Sequence, residues 1–187
     1  MHIMRTTLLI LLMVSLSSRG HSQSYNSVIS DREIENFIQW EIDNIPKYSE
    51  DRNFGKKKLL DKPMSWKTAG IGKLLSGDSI SFEKRFYLFF EHDTLFDEAD
   101  KAYIKRQYDT EVIRKWSVKF ENVNLKKKAN LNYHGMTIPL YSIDKSKVIV
   151  WKYFFCGSVC GHACIFIYNR ISDDEWKEIG RFGCEIW

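Results

Sequence analysis

The sequence predicts an α+β fold, with N-terminal helices packed on one face of a largely antiparallel β-sheet formed mostly by the C-terminal half. Three observations predict it. Apolar residues of the first half recur at helical spacing behind capping signals. The second half carries short β-branched and aromatic runs. Turn residues separate those runs, and helices first with hairpins last is the order of an α+β domain.

The chain opens as a secretory leader would. Arg5 gives a positive flank, Leu8 to Val14 is unbroken apolar, and 13 uncharged residues separate Arg5 from Arg19. A membrane-spanning helix needs about 20 apolar residues, so this stretch fits the apolar region of a signal peptide. Ser18 and Gly20 permit cleavage before His21, and Gly20 and Ser22 before Gln23. The expected organisation is a signal peptide over 1–22 and a single domain over 23–187. The product would be secreted or periplasmic, with no stable membrane span.

Each later element has its own signal. Ser30 and Glu33 form an S-x-x-E capping box, flanked by Ile29 and Ile34 at staple positions. Ile34, Phe37, Ile38 and Ile42 then give a helical stripe that Pro46 ends. Residues 47–58 read as a polar connection, and glycines at 70, 72 and 77 leave 59–78 without an assignable period. Ile80 to Phe90 reads as a strand buried on both faces because of the run Phe86-Tyr87-Leu88-Phe89-Phe90. Thr94 and Asp97 cap a second helix with the stripe Phe96, Ala99, Tyr103 and Ile104, acidic early and basic late as the helix dipole favours. A short helical turn is expected around Val112, Ile113 and Trp116.

Strands follow. Val118 and Phe120 alternate, and Ile138, Leu140 and Ile143 make an extended run with Pro139 near its start. Val148 to Phe155 is a strong strand, paired antiparallel with Ile165 to Tyr168 across a loop from Cys156 to Cys164. Ser172-Asp173-Asp174 turns the chain into a last strand, Trp176 to Phe182.

Lys and Arg number 28 against 24 acids, a net charge of +4, which excludes charge-driven nucleic-acid binding. The basic runs Lys56-Lys57-Lys58 and Lys126-Lys127-Lys128 read as solvated turns. No nucleophile elbow, zinc-protease helix, P-loop or dinucleotide fingerprint occurs. Glu91, His92 and Asp93 read as a polar loop, His134 as a turn residue, and Asp173-Asp174 as a hairpin turn. The 12 Phe, 9 Tyr and 6 Trp must be mostly core, with Trp40, Trp66 and Tyr153 as candidates for a surface that stacks on sugars or peptides.

The chemistry concentrates in CGSVCGHAC. Cys156, Cys160 and Cys164 are spaced C-x3-C-x3-C, and Cys184 follows later. An even count in an exported chain favours disulfides. Gly157 and Gly161 let the chain fold back so that Cys156 meets Cys160. Cys164 at one strand and Cys184 at the end of another then form the second pair. A competing reading makes Cys156, Cys160 and His162 a zinc or copper site, with His92 or His134 as a remote ligand. A redox dithiol fits less well, because such pairs are spaced C-x2-C at a helix start.

The segments MTIPLYSIDKSKVIVWKYFFCGSVCG and CIFIYNRISDDEWKEI, with TLFDEADKAYIKRQ upstream, resemble small secreted proteins of Bacteroidetes-type bacteria that carry a CGxxCG hairpin loop. The matching positions are Pro139, Leu140, Ser142, Val148 to Val150, Cys156, Gly157, Cys160, Gly161, Trp176 and Lys177, with Gln107 ending the helix. The resemblance implies placement outside the cytoplasm and no particular activity. Its members carry a small residue where this chain has Cys164, which makes Cys164 and Cys184 an added pair. The sequence therefore leads to an exported, disulfide-stabilised, non-catalytic binding or envelope-associated module. It calls for no cofactor, and its partner would be a peptide, a glycan or a cell-envelope component. The alternative is a metal-handling or thiol-active protein.

Overall fold

The computed structural model describes residues 24–45, 57–68, 94–127, 131–157 and 160–186. The expected leader, the aromatic run 80–90 and the cluster 91–93 lie outside the described residues. Among those described there are two helices, α1 (Asp31–Asn44) and α2 (Glu98–Asp109), and seven strands. The strands are β1 (Lys57–Leu60), β2 (Val123–Lys126), β3 (Tyr133–Met136), β4 (Leu140–Tyr141), β5 (Lys147–Gly157), β6 (Cys160–Ser172) and β7 (Glu175–Ile186). They form one sheet in the order β2-β1-β3-β5-β6-β7, with β4 also paired to β5. The β1–β2 and β1–β3 pairs are parallel; every pair made by β5 or β6 is antiparallel. The fold is α+β with a mostly antiparallel sheet, drawn mostly from the C-terminal half.

Alternation along β5 and β6 sorts the core into two clusters. Val148 and Val150 of β5, with Cys164, Phe166 and Tyr168 of β6, pack with Ile34, Phe37, Ile38 and Ile42 of α1. Ile149, Trp151 and Tyr153, with Ala163, Ile165 and Ile167, pack with Trp66, Phe96, Ile104 and Tyr108. Successive strand residues face opposite sides; α1 packs in the first cluster, while α2 places Ile104 and Tyr108 in the second and Tyr103 against the first. β5 and β6 are apolar at both parities, so each face needs cover; packing of both helices on one face is not shown.

Local chemistry explains the elements. The Ser30 hydroxyl accepts from the Glu33 N–H and caps α1. The Glu33 carboxylate does not reach back; it pairs with Arg170 at 2.9 Å instead. Asp97 rather than Thr94 caps α2, accepting from the Asp100 N–H at 2.8 Å. Ala99 is exposed, and Gln107 and Tyr108 are buried in its place. The Gln107 amide donates to the Tyr141 carbonyl and accepts from the Tyr141 N–H, at 2.7 and 2.9 Å. A side chain thus acts as a strand neighbour for β4, which ties α2 to the sheet.

Other sequence expectations shift. Val112 to Trp116 is not helical, and Val118 to Phe120 is not a strand. Asn122 turns the chain at φ 56° into β2. Lys57 and Lys58 belong to β1 and Lys126 to β2, where a polar connection and a solvated turn were expected. Trp66 and Tyr153 are core residues, 0% and 6% exposed, and not stacking surfaces. The Tyr153 ring lies across Gly135 of β3, where a Cβ would stand 1.9 Å from the ring. Glycine is required there by close approach.

The largest difference concerns the cysteine segment. It is not a loop: β5 runs to Gly157 and β6 begins at Cys160, with Gly157 paired to Cys160. The expected strand Ile165 to Tyr168 is the middle of a 13-residue strand. Both ends of that added length carry a disulfide, Cys156–Cys160 and Cys164–Cys184, with Cα separations of 5.1 and 4.1 Å. Opposite Cys164, Gly183 and Cys184 form a bulge, Gly183 at φ +58°. The two bridges close chain segments of 4 and 20 residues. On chain-entropy grounds the longer closure stabilises by about 3 kcal/mol and the shorter by about 2. Urea unfolding of the Cys164→Ala/Cys184→Ala double variant should therefore show the larger loss, and Cys156→Ala/Cys160→Ala the smaller.

Candidate functional site

The α1 face of the sheet is longer than α1. The helix ends at Asn44, close to the level of Lys152, because Glu41 of its last turn meets Lys152 of β5. Beyond that point the strands continue to Gly157, and a cleft of about 370 Å³ opens over them. Trp40, Glu41 and Asn44 of α1, with Ile45 that caps it, line one side. His134 to Met136 of β3, Lys152 to Phe154 of β5, His162, Phe166 and Tyr168 of β6, and Glu178 and Arg181 of β7 line the rest.

Register builds its floor. His134 stands opposite Phe154, and Phe154 stands opposite His162, so three rings lie in a row across three strands. Their centroids are 4.8 and 5.9 Å apart. All three are half-buried. The next row holds Met136, Lys152 and Cys164. The Lys152 ammonium donates to a Glu41 carboxylate oxygen and to the Tyr168 hydroxyl, and lies 3.8 Å from the Phe166 ring centroid. Glu41 is 4% exposed. Its other oxygen, Oε2, is buried without a hydrogen-bond partner among the described residues, a deficit worth about 1–3 kcal/mol. At the rim the Arg181 guanidinium pairs with Glu178 at 2.7 Å.

Electrostatics follow from that packing. Burial first, then the charges of Lys57, His162 and Lys152, push His134 down to about 4. His162 is also lowered, by burial and then by Lys152. Both imidazoles are neutral at pH 7, each offering one N–H and one acceptor nitrogen. Burial and the Glu41 charge raise the Tyr168 hydroxyl well above its ordinary value, so it remains protonated. The Lys57 ammonium donates to the Ile42 and Ile45 carbonyls at the end of α1, a favourable place for a cation.

The sequence-derived site residues fall as follows. Cys156 and Cys160 pair as a disulfide between β5 and β6, and His162 lies two residues beyond Cys160 in β6. No group of three or more His, Cys, Asp or Glu among the described residues is placed to hold a metal ion. His134 is not a turn residue; it sits within β3 and shares the ring row with His162. Trp40 is half-buried at the cleft wall. Asp173 and Asp174 form the β6–β7 turn. Glu41, Lys152, Tyr168, Glu178 and Arg181 escaped sequence reasoning. One signal was available: Lys152 shares the parity of Val148, Val150 and Phe154, a lone charge on an otherwise apolar strand face.

Comparison with known protein families, with characterised proteins and with solved structures returned no match. The site therefore rests on its own geometry.

The buried imidazole makes stability depend on pH. His134 has an ordinary value of 6.5 in the unfolded chain and about 4 in the folded one. Unfolding therefore takes up a proton between those values, and the folded state loses stability as pH falls from 6.5 to 4. The full loss is about 3 kcal/mol and does not grow further below the folded value. A series of urea midpoints across this range should show that slope in the native protein, and a shallower one in His134→Gln. Parallel slopes would contradict the burial of His134.

Proposed function

We propose that the protein is an exported, disulfide-stapled, non-catalytic binding module and that its ligand site is the cleft beyond the end of α1. One observation carries the reading: a row of half-buried rings on a floor that α1 leaves uncovered, beside a buried ion pair. Folding alone gives no reason to place neutral imidazoles, a desolvated carboxylate and a rim guanidinium around one open space. Binding sites have this mixture of ring surface and few convergent polar groups. Catalysis would need a nucleophile or a base poised to titrate near pH 7; both imidazoles here are pushed below that range.

Export is supported by the two disulfides, which persist in oxidising compartments, and by the leader-like N-terminal pattern. No helix among the described residues is long and apolar enough to cross a membrane.

Two measurements test the reading together. Protein recovered from outside the cytoplasm should gain about 4 Da on reduction, the mass of the hydrogens taken up by two disulfides. A screen of short peptides and oligosaccharides by ¹H–¹⁵N spectroscopy should find ligands whose shifts centre on the Trp40 indole, His134 and His162. Free thiols in the non-reduced sample, or a cleft silent to every class, would contradict it.

A further inference from the structure

We infer that the ligand of the cleft is a neutral sugar, bound as a single pyranose ring or a short uncharged glycan. This deepens the binding-module reading and rests on it. The argument is one of charge and hydrogen-bond type. Glu41 is balanced by Lys152 and Glu178 by Arg181. His134 and His162 are neutral at pH 7. The lining residues therefore offer many polar groups and balanced charge, and the nearby Lys57 ammonium donates to the Ile42 and Ile45 carbonyls.

An anion arriving there would face Glu41 and Glu178, with both cations already committed to them. A cation would face Lys152 and Arg181 in the same way. A purely apolar ligand would bury the imidazole nitrogens without partners, which costs about 1–3 kcal/mol for each group. Hydroxyl groups avoid all three penalties, because each both donates and accepts. Imidazole presents the same pairing of one donor and one acceptor.

Ring geometry points the same way. Trp40 on the wall and Phe154 on the floor supply ring surface of the kind that packs against the C–H face of a pyranose. The volume of about 370 Å³ is at the small end for ligand sites and holds about one or two pyranose rings.

The test uses the mature, disulfide-intact protein. Cellobiose, maltose, lactose and N,N′-diacetylchitobiose are titrated while ¹H–¹⁵N shifts of the Trp40 indole and both imidazoles are followed. Glucuronic acid, glucosamine and a neutral tripeptide serve as comparison probes. At least one neutral disaccharide should move the cleft signals and bind at least about tenfold more tightly than the charged sugars. Arg181 stands at the rim with its side chain 59% exposed, so Arg181→Ala should keep the native spectrum and weaken binding about fivefold. Silence to all four neutral sugars, or no effect of Arg181→Ala, overturns the inference. Tighter binding of a charged sugar or the tripeptide in the cleft also overturns it, while leaving the binding-module reading standing. A cleft that answers none of the probes counts against both.

Discussion

The register between β5 and β6 is the constraint on which the rest of this structure depends. A strand presents alternate residues to opposite faces, so sliding one strand by a single residue exchanges its whole set of side chains. In this register Val148, Val150, Lys152 and Phe154 face α1, together with their partners Tyr168, Phe166, Cys164 and His162. The other parity fills the opposite core. Both hydrophobic clusters, the ion pair to Glu41 and the ring row are consequences of one alignment.

Length then turns that alignment into a site. A helix rises about 1.5 Å per residue and a strand about 3.3 Å, so the 14 residues of α1 cannot cover the full run of β5 and β6. The hairpin outlasts its helix. Where the α1 core ends, the two disulfides take over the task of holding β5, β6 and β7 together. Cross-links do not need a packed layer above them, and so the sheet face can present His134, Phe154 and His162 to an open cleft.

Much of this was legible from residue order, and the failures have physical causes. The helix behind Ser30 was legible because cap, staple and stripe agree. The long strand from Val148 was legible from its β-branched run. The cysteine segment misled because Gly157 and Gly161 are turn residues by local preference, yet Gly161 lies inside β6 opposite Phe155. Cross-strand pairing overrode local preference there. Trp66 and Tyr153 misled for a related reason: an isolated aromatic carries no sign of whether it is covered. Trp66 is buried because its indole donates to the Ile138 carbonyl, 72 residues away in sequence. The cleft was the least legible part. Glu41, Lys152, Tyr168 and Arg181 come from four elements, and only the sheet order brings them together.

The central claim is the row of rings set by strand register, and proximity among aromatic protons measures it most directly. In a NOESY spectrum of the disulfide-intact protein, Phe154 ring protons should show cross-peaks to the imidazole protons of both His134 and His162, and none to the Ile165 methyl groups. Cross-peaks from His162 to Phe155 in place of Phe154 would place the strands one residue out of register, and the cleft described above would not exist.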